Sequence, residues 1–187
     1  GFWLYYLIEM WWKRLFFPSR RYVPVRRPVF LRDCLLVAGF AVLWIGVTIC
    51  YALWAQANVF ASLWFGVVLP YLLWNGCIGF VTYCQHTHPD IAWYASKTEW
   101  SAAKAYVSAT AHPQFSLPLG SLFHWIFEHP AHHLDMSIPF YRLRAAQAAL
   151  QRECSDLLVV THLTWANYWR NARACGAYDF DRKVWVP

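Results

Sequence analysis

This chain has few charged side chains. Only 14% of its 187 residues are Asp, Glu, Lys or Arg, against roughly 25% in an average soluble domain. None of them lies between Cys34 and Gln85. The sequence is instead 59% apolar and 20% aromatic, with 13 tryptophans and 11 tyrosines. This composition argues against a soluble domain and favours a membrane protein, because Trp and Tyr are enriched where lipid meets water.

Paired cysteine motifs are also lacking. The chain has six cysteines but no C-x-x-C pattern, and four of the six lie in apolar stretches. A disulfide framework and a cysteine-bound structural zinc are therefore not expected. The cysteines are predicted to be buried free thiols in a reducing compartment.

The net charge of +6 does not indicate nucleic-acid binding, because the basic residues are not spread over one surface. They cluster in residues 19–27 and near the C-terminus. A basic segment beside a long uncharged one is typical of the cytoplasmic flank of a membrane span. We expect a membrane as partner and no nucleic acid.

Three segments follow from this pattern, and together they predict an all-α fold: an integral membrane helical hairpin plus a cytoplasmic helical region. Residues 1–33 read as an interfacial helix and a basic connector. Residues 34–84 contain two apolar runs, 34–54 and 59–84, each long enough for a helix to cross a bilayer. The arginines before the first run place both ends of this hairpin in the cytoplasm. Residues 85–187 are then a cytoplasmic metal-binding region with C-terminal helices, expected over 141–154 and 163–181.

All eight histidines come from His86 onward, and three of them lie within five positions. His129, His132 and His133 have the i, i+3, i+4 spacing that puts side chains on one face of a helix. Pro130 suits the first helical position, which would make His129 the N-cap. Clustering three polar rings without a partner is costly, so metal ligation is the favoured interpretation.

The spacing leaves the metal open. The zinc-protease pattern H-E-x-x-H is absent. The inverted zinc motif H-x-x-E-H does not fit either, because His124, Glu128 and His129 form H-x-x-x-E-H, which is one residue longer. Nitrogen ligands suit iron or zinc equally. His86 and His88 follow the second apolar run at i, i+2, so at most one of them is expected at the same metal unless the segment is extended.

Two stretches carry a resemblance to a known family. TYCQHTHPDIAWY (82–94) and LFHWIFEHPAHHLDMSIPFYRL (122–143) resemble the C-terminal half of membrane fatty acid desaturases, above all the delta-12/omega-3 acyl-lipid group and its bacterial relatives. The resemblance implies that the third histidine box, H-x-x-H-H, supplies metal ligands, and that a further histidine ligand precedes it. In this sequence the box residues and the further ligand are His129, His132, His133 and His86. His88 is the substitute for His86, and the resemblance makes His88 and His124 possible residues that orient a ligand.

The chemistry implied by the resemblance is the O2-dependent insertion of a double bond into a fatty acyl lipid, in fatty acid biosynthesis. It implies two iron ions in the complete enzyme, O2 as co-substrate, and an electron donor such as ferredoxin or cytochrome b5. A redox metal is required because an unactivated methylene has no acidic proton for a side chain to remove.

The sequence also departs from the family. The first and second histidine boxes are absent, since no histidine precedes His86. We therefore expect a fragment that lacks part of the ligand set and is inactive by itself. Three alternatives stay open: a related fatty acyl or alkane hydroxylase, a catalytically silent membrane protein, and a zinc-dependent membrane hydrolase.

Overall fold

The computed structural model describes residues 27–102, 106–115 and 120–187. The interfacial helix and most of the basic connector, predicted within residues 1–33, lie outside the described residues. The described residues divide into two compact units, with the boundary between Phe80 and Val81.

The first unit is a pair of apolar helices. Helix α1 spans Arg27–Trp54, and the returning helix consists of α2 (Val59–Leu63), a π-helical segment (Trp64–Val68) and α3 (Leu69–His86), which runs on into the second unit. The two are tied together where the indole Nε1 of Trp44 donates to the carbonyl oxygen of Gly66, at 3.0 Å. The π-helical segment was not predicted, and both helices extend beyond the apolar runs that predicted them.

Both helices are long and apolar enough to cross a membrane. Within Pro28–Trp54 and Val59–His86, an 18-residue window reaches a mean hydropathy of 2.3 and 1.5, respectively. Large apolar side chains on α1 project away from the protein, with Leu35 73% exposed and Val42 71% exposed. In water such a surface would be unfavourable by about 25 cal/mol per Å², whereas a bilayer accommodates it, so this surface supports membrane association.

The second unit is built from short helices and two small sheets. In chain order the elements are α4 (Lys97–Ala102), β1 (Ala111–Gln114), α5 (His129–Leu134), α6 (Phe140–Glu153), a 3₁₀ turn (Ser155–Leu157), β2 (Val159–His162), α7 (Trp165–Ala174), β3 (Ala177–Asp179) and β4 (Val184–Val186).

The two sheets correct the all-α prediction. Strand β1 pairs with β2 in parallel, with Ala111 opposite Val159, and β3 pairs with β4 as a hairpin, with Tyr178 opposite Trp185. The strands are three or four residues long, too short to show an alternating pattern. The pairing of β1 with β2 depends on a contact between distant parts of the chain, which local sequence does not reveal.

The predicted C-terminal helices are present with changed bounds. In α6, Leu143, Gln147 and Leu150 form the buried face, so one polar side chain lies among the buried apolar ones. Helix α7 begins after Thr164, whose side chain accepts a hydrogen bond from the backbone N–H of Asn167. It ends at Ala174, and the residues after Gly176 form β3 instead of continuing the predicted helix.

Candidate metal centre

His86 is the last residue of α3, and the residues around it fix the end of that helix. The side chain of Gln85, 2% exposed, donates from Nε2 to the carbonyl oxygen of Ile126 at 2.7 Å. The hydroxyl of Thr110 donates to the carbonyl oxygen of Gln85 at 2.9 Å. The ring of His86 itself has a hydrogen bond to the backbone of Ala109, and such a bond to one ring nitrogen orients the other.

The histidine-rich segment forms the short helix α5. Its N-cap is Glu128, so the predicted cap at His129 is wrong by one residue. The first N–H groups of any helix have no partner within the helix. Here α6 supplies one, because Oε1 of Gln147 accepts the buried N–H of Ala131 at 3.0 Å. This contact fixes the turn that carries the histidines.

Three imidazoles converge between α3 and α5. Nε2 of His129 lies 3.0 Å from Nε2 of His86 and 3.0 Å from Nε2 of His133. Ligand atoms of these three residues all lie within 4.8 Å of one another. Among the residues that the structure describes, this is the one group of at least three potential metal ligands.

Hydrogen bonding alone does not satisfy this arrangement. A ring nitrogen of a neutral imidazole either donates one hydrogen or offers one lone pair, whereas Nε2 of His129 faces two such nitrogens. A single cation would accept the lone pairs of all three rings. Two imidazole nitrogens at about 2.1 Å from one metal and at right angles lie about 3.0 Å apart. The observed separations therefore fit ligands that share one ion.

The surroundings keep the rings neutral, which is the form that binds a metal. Burial, reinforced by the neighbouring imidazoles, lowers the pKa of His129 from 6.5 to about 2. Burial and the adjacent rings of His86 and His132 lower the pKa of His133 to about 4. At neutral pH both rings carry lone pairs instead of charge.

His132 does not join the group of three. Its ring stacks on that of His129 with centroids 5.6 Å apart, and lies 6.2 Å from the ring of His133. Successive helical residues rotate by about 100°, so i+3 and i+4 fall on opposite sides of residue i. The spacing therefore correctly placed His129 beside His133, but did not bring all three box histidines to one point.

The two remaining candidates lie elsewhere. Nδ1 of His88 accepts the backbone N–H of Asp90 at 3.2 Å; burial lowers the pKa of His88, and the Asp90 carboxylate opposes that shift. His124 has a left-handed backbone, with φ of 51°, and its ring packs edge-on against Phe140 at 5.1 Å. Neither belongs to the group of ligands found among the described residues, and their predicted orienting role stays a prediction.

A buried pair beside the histidine helix was missed from the sequence. Nε2 of His112 lies 2.6 Å from Oε2 of Glu128, the N-cap residue of α5, and Nδ1 of His112 lies 2.9 Å from Nε2 of Gln151. The two side chains of the pair are only 8% and 16% exposed. This close contact restrains Glu128 immediately before His129. His112 stands alone in the sequence, and no spacing pointed to it.

An open groove of about 500 Å³ reaches the converging histidines. His86 and His133 line it together with Trp93, Tyr94 and Trp100. The aromatic walls make it suitable for an apolar molecule.

Comparison with known proteins gives a consistent result. A family model described as fatty acid desaturase matches residues 1–165. The chain is 35% identical over 100 residues to a chloroplastic omega-6 fatty acid desaturase of Spinacia oleracea, covering 54% of this chain and 22% of the relative. It is 32% identical over 98 residues to an sn-1 oleoyl-lipid 12-desaturase of Picosynechococcus, covering 52% of this chain and 28% of the relative. It is 31% identical over 103 residues to a delta(12) acyl-lipid conjugase of Momordica charantia, covering 54% and 25%. The matched part thus spans only about a quarter of each relative's length.

Proposed function

Since this chain belongs to the fatty acid desaturase family, we propose that it is part of a membrane-bound acyl-lipid desaturase, which uses O2 to form a double bond in a fatty acyl chain. One observation carries the proposal: His86, His129 and His133 bring three ring nitrogens together at the end of an apolar helix. Two of the relatives are named as desaturases and one as an acyl-lipid conjugase, which supports a fatty acyl lipid as the proposed substrate.

Iron is the proposed cofactor, and the residues present fit it. His86, His129 and His133 would hold one ion through neutral nitrogens. His132 stays a proposed ligand of the complete centre. Its ring lies 5.6 Å from that of His129, close enough for both residues to contribute to one centre.

When bound, iron would supply the activation of O2 and the removal of two hydrogens, which acid–base side chains cannot achieve on a methylene. The chain's own residues do the rest. Gln85 and Gln147 hold the two helix ends that carry the ligands. Trp93 and Tyr94 line the groove beside them and would exclude water from an acyl chain lying there.

The present sequence supplies only part of the proposed centre. Four histidines are too few to complete a two-iron site of this family, so we propose that ligands outside the present sequence complete it and that this chain is inactive alone. An electron donor such as ferredoxin or cytochrome b5 would deliver reducing equivalents from the cytoplasm.

A cytoplasmic position of the histidines is part of this proposal. An epitope tag inserted at Ser96, an exposed residue ten positions after His86, tests it. We expect an antibody to reach the tag only after the membrane is permeabilised. Labelling of intact cells would contradict the proposed orientation.

The function is tested in a full-length desaturase that carries this chain. His132→Ala and His133→Ala should each abolish the unsaturated product measured by gas chromatography of cellular fatty acids. The control is His162→Ala, because His162 is exposed at the end of β2 and should leave the product unchanged. Unchanged product in the His133→Ala variant would refute the ligand assignment, and no product from the unaltered enzyme would favour a catalytically silent protein.

A further inference from the structure

The indole of Trp93 is bonded to the backbone of a proposed ligand. Its Nε1 donates to the carbonyl oxygen of His86 at 2.9 Å. The last carbonyl groups of a helix lack partners within the helix, and His86 ends α3. Trp93 therefore satisfies the carbonyl of the residue whose ring joins the histidine group, and restrains the backbone that carries that ring.

The C-terminal hairpin holds Trp93 in place. Trp185 of β4 meets the ring of Trp93 edge-on at 4.9 Å, and Tyr178 of β3 lies 6.1 Å from it. Tyr178 and Trp185 are opposite each other in the hairpin, with rings 5.1 Å apart. These three rings form one cluster, which we call the Trp93 cluster.

Two further contacts connect the hairpin to the segment after His86. Nε1 of Trp185 donates to the carbonyl oxygen of Ile91, which is 1% exposed, at 2.8 Å. Lys183, in the turn of the hairpin, lies 3.1 Å from Glu99. The Lys183 side chain is 54% exposed, so this ion pair contributes little. The indole hydrogen bond to the buried Ile91 is the stronger connection.

The same segment forms one wall of the groove at the histidines. Trp93 and Tyr94 line that groove together with His86 and His133. One indole thus contacts the hairpin, bonds to the backbone of His86 and borders the open space beside the ligand atoms. The hairpin lies beyond residue 165, where the match to the family model ends.

We propose that Trp93, held by the β3–β4 hairpin, is a positioning residue for the metal centre, which it acts on through the backbone of His86. This inference rests on the proposed function, because it takes His86, His129 and His133 as ligands. Loss of the bond from Trp93 removes no ligand but lets the ring of His86 move away from His129. Loss of a partner that hydrogen-bonds a ligating side chain typically weakens metal binding about 10- to 100-fold, and we expect a loss of that order here.

The test is titration of the detergent-solubilised 187-residue chain with Co²⁺, followed by visible absorption. Trp93→Phe keeps an aromatic ring against Trp185 but removes the N–H. We expect a dissociation constant about 10- to 100-fold higher and an altered ligand-field spectrum at saturation, with a melting temperature near that of the unaltered chain. Trp169→Phe is the matched control, because Trp169 is 57% exposed on α7, and should reproduce the unaltered constant and spectrum.

The outcomes separate the inference from the function on which it rests. Binding of Co²⁺ by the unaltered chain together with an unchanged constant and spectrum in Trp93→Phe would overturn the positioning role. A lowered melting temperature with an unchanged spectrum at saturation would also overturn it, since that is a purely structural effect. No binding by the unaltered chain would instead refute the proposed ligand set, and the inference with it.

The hairpin's part is tested by a second variant. Trp185→Phe removes the bond to Ile91 and should weaken Co²⁺ binding in the same direction as Trp93→Phe. Because Trp93 and Trp185 belong to one cluster, their effects should not be additive. The loss of Co²⁺ binding free energy in the double variant should be smaller than the sum of the losses in the two single variants. Strict additivity would show that the hairpin does not act through Trp93.

Discussion

Gln147 offers the sharpest test of how the histidine helix is held. Its Oε1 accepts the N–H of Ala131, and both residues are about 1% exposed. Gln147→Leu keeps the approximate size of the side chain and removes this acceptor, while the buried N–H of Ala131 cannot reach water. An unsatisfied buried donor costs about 1–3 kcal/mol.

The loss should be local to α5. The leucine also removes the amide Nε2 of Gln147, which is buried and has no hydrogen-bond partner among the described residues, so part of the global cost is offset. The free energy of opening α5 alone is not offset in this way. A cost of about 1–3 kcal/mol corresponds to a roughly 5- to 150-fold larger open population.

Hydrogen exchange measured by mass spectrometry gives this population directly. Peptides covering residues 128–136 of Gln147→Leu should exchange faster by that factor, whereas peptides from α7 should be unaffected. Arg152→Leu places the same leucine at an exposed position of α6 and should not change exchange. Equal protection of residues 128–136 in both variants would refute the role given to Gln147.

Two further predictions concern the helix pair and the response to pH. Trp44→Phe removes the bond from the indole to the carbonyl of Gly66, which should lower the free energy of unfolding in detergent by about 1 kcal/mol. The control is Trp54→Phe, because Trp54 is 81% exposed. Equal stability of the two variants would contradict this prediction. The metal-free chain should melt at lower temperature as the pH falls from 7 to 5. In the unfolded chain His129 and His133 have an ordinary pKa of 6.5 and bind protons over this range. In the folded chain their pKa values are about 2 and about 4, so they do not, and the unfolded state is favoured. A double variant, His129→Ala with His133→Ala, should lose much of this dependence, and an unchanged dependence would place its origin elsewhere.

The sequence was informative where the signal is local. Long uncharged runs predicted the two apolar helices. Helix α1 nevertheless begins at Arg27, seven residues before the run. Arginine and aspartate can form part of a helix although they are unfavourable inside a bilayer. The i, i+4 spacing correctly brought His129 and His133 together, since helix geometry alone determines it.

The sequence was uninformative where distant segments meet. His86 and His129 are 43 residues apart, and their pairing was expected only from the family resemblance. The parallel pairing of β1 with β2, the contact of His112 with Glu128 and the bond from Trp185 to Ile91 all join segments by tertiary packing. No local pattern records such contacts.

The central claim is that His86, His129 and His133 form one part of an iron site. The most direct test is the number of Fe²⁺ ions bound per chain at saturation, by anaerobic equilibrium dialysis of the detergent-solubilised chain. We predict that the unaltered chain and His162→Ala each bind no more than one ion. At the same free iron concentration, His133→Ala should bind less than a tenth of the iron that the unaltered chain binds. Equal binding by all three proteins would contradict the ligand assignment, and two ions per unaltered chain would contradict the proposal that the centre is completed from outside this sequence.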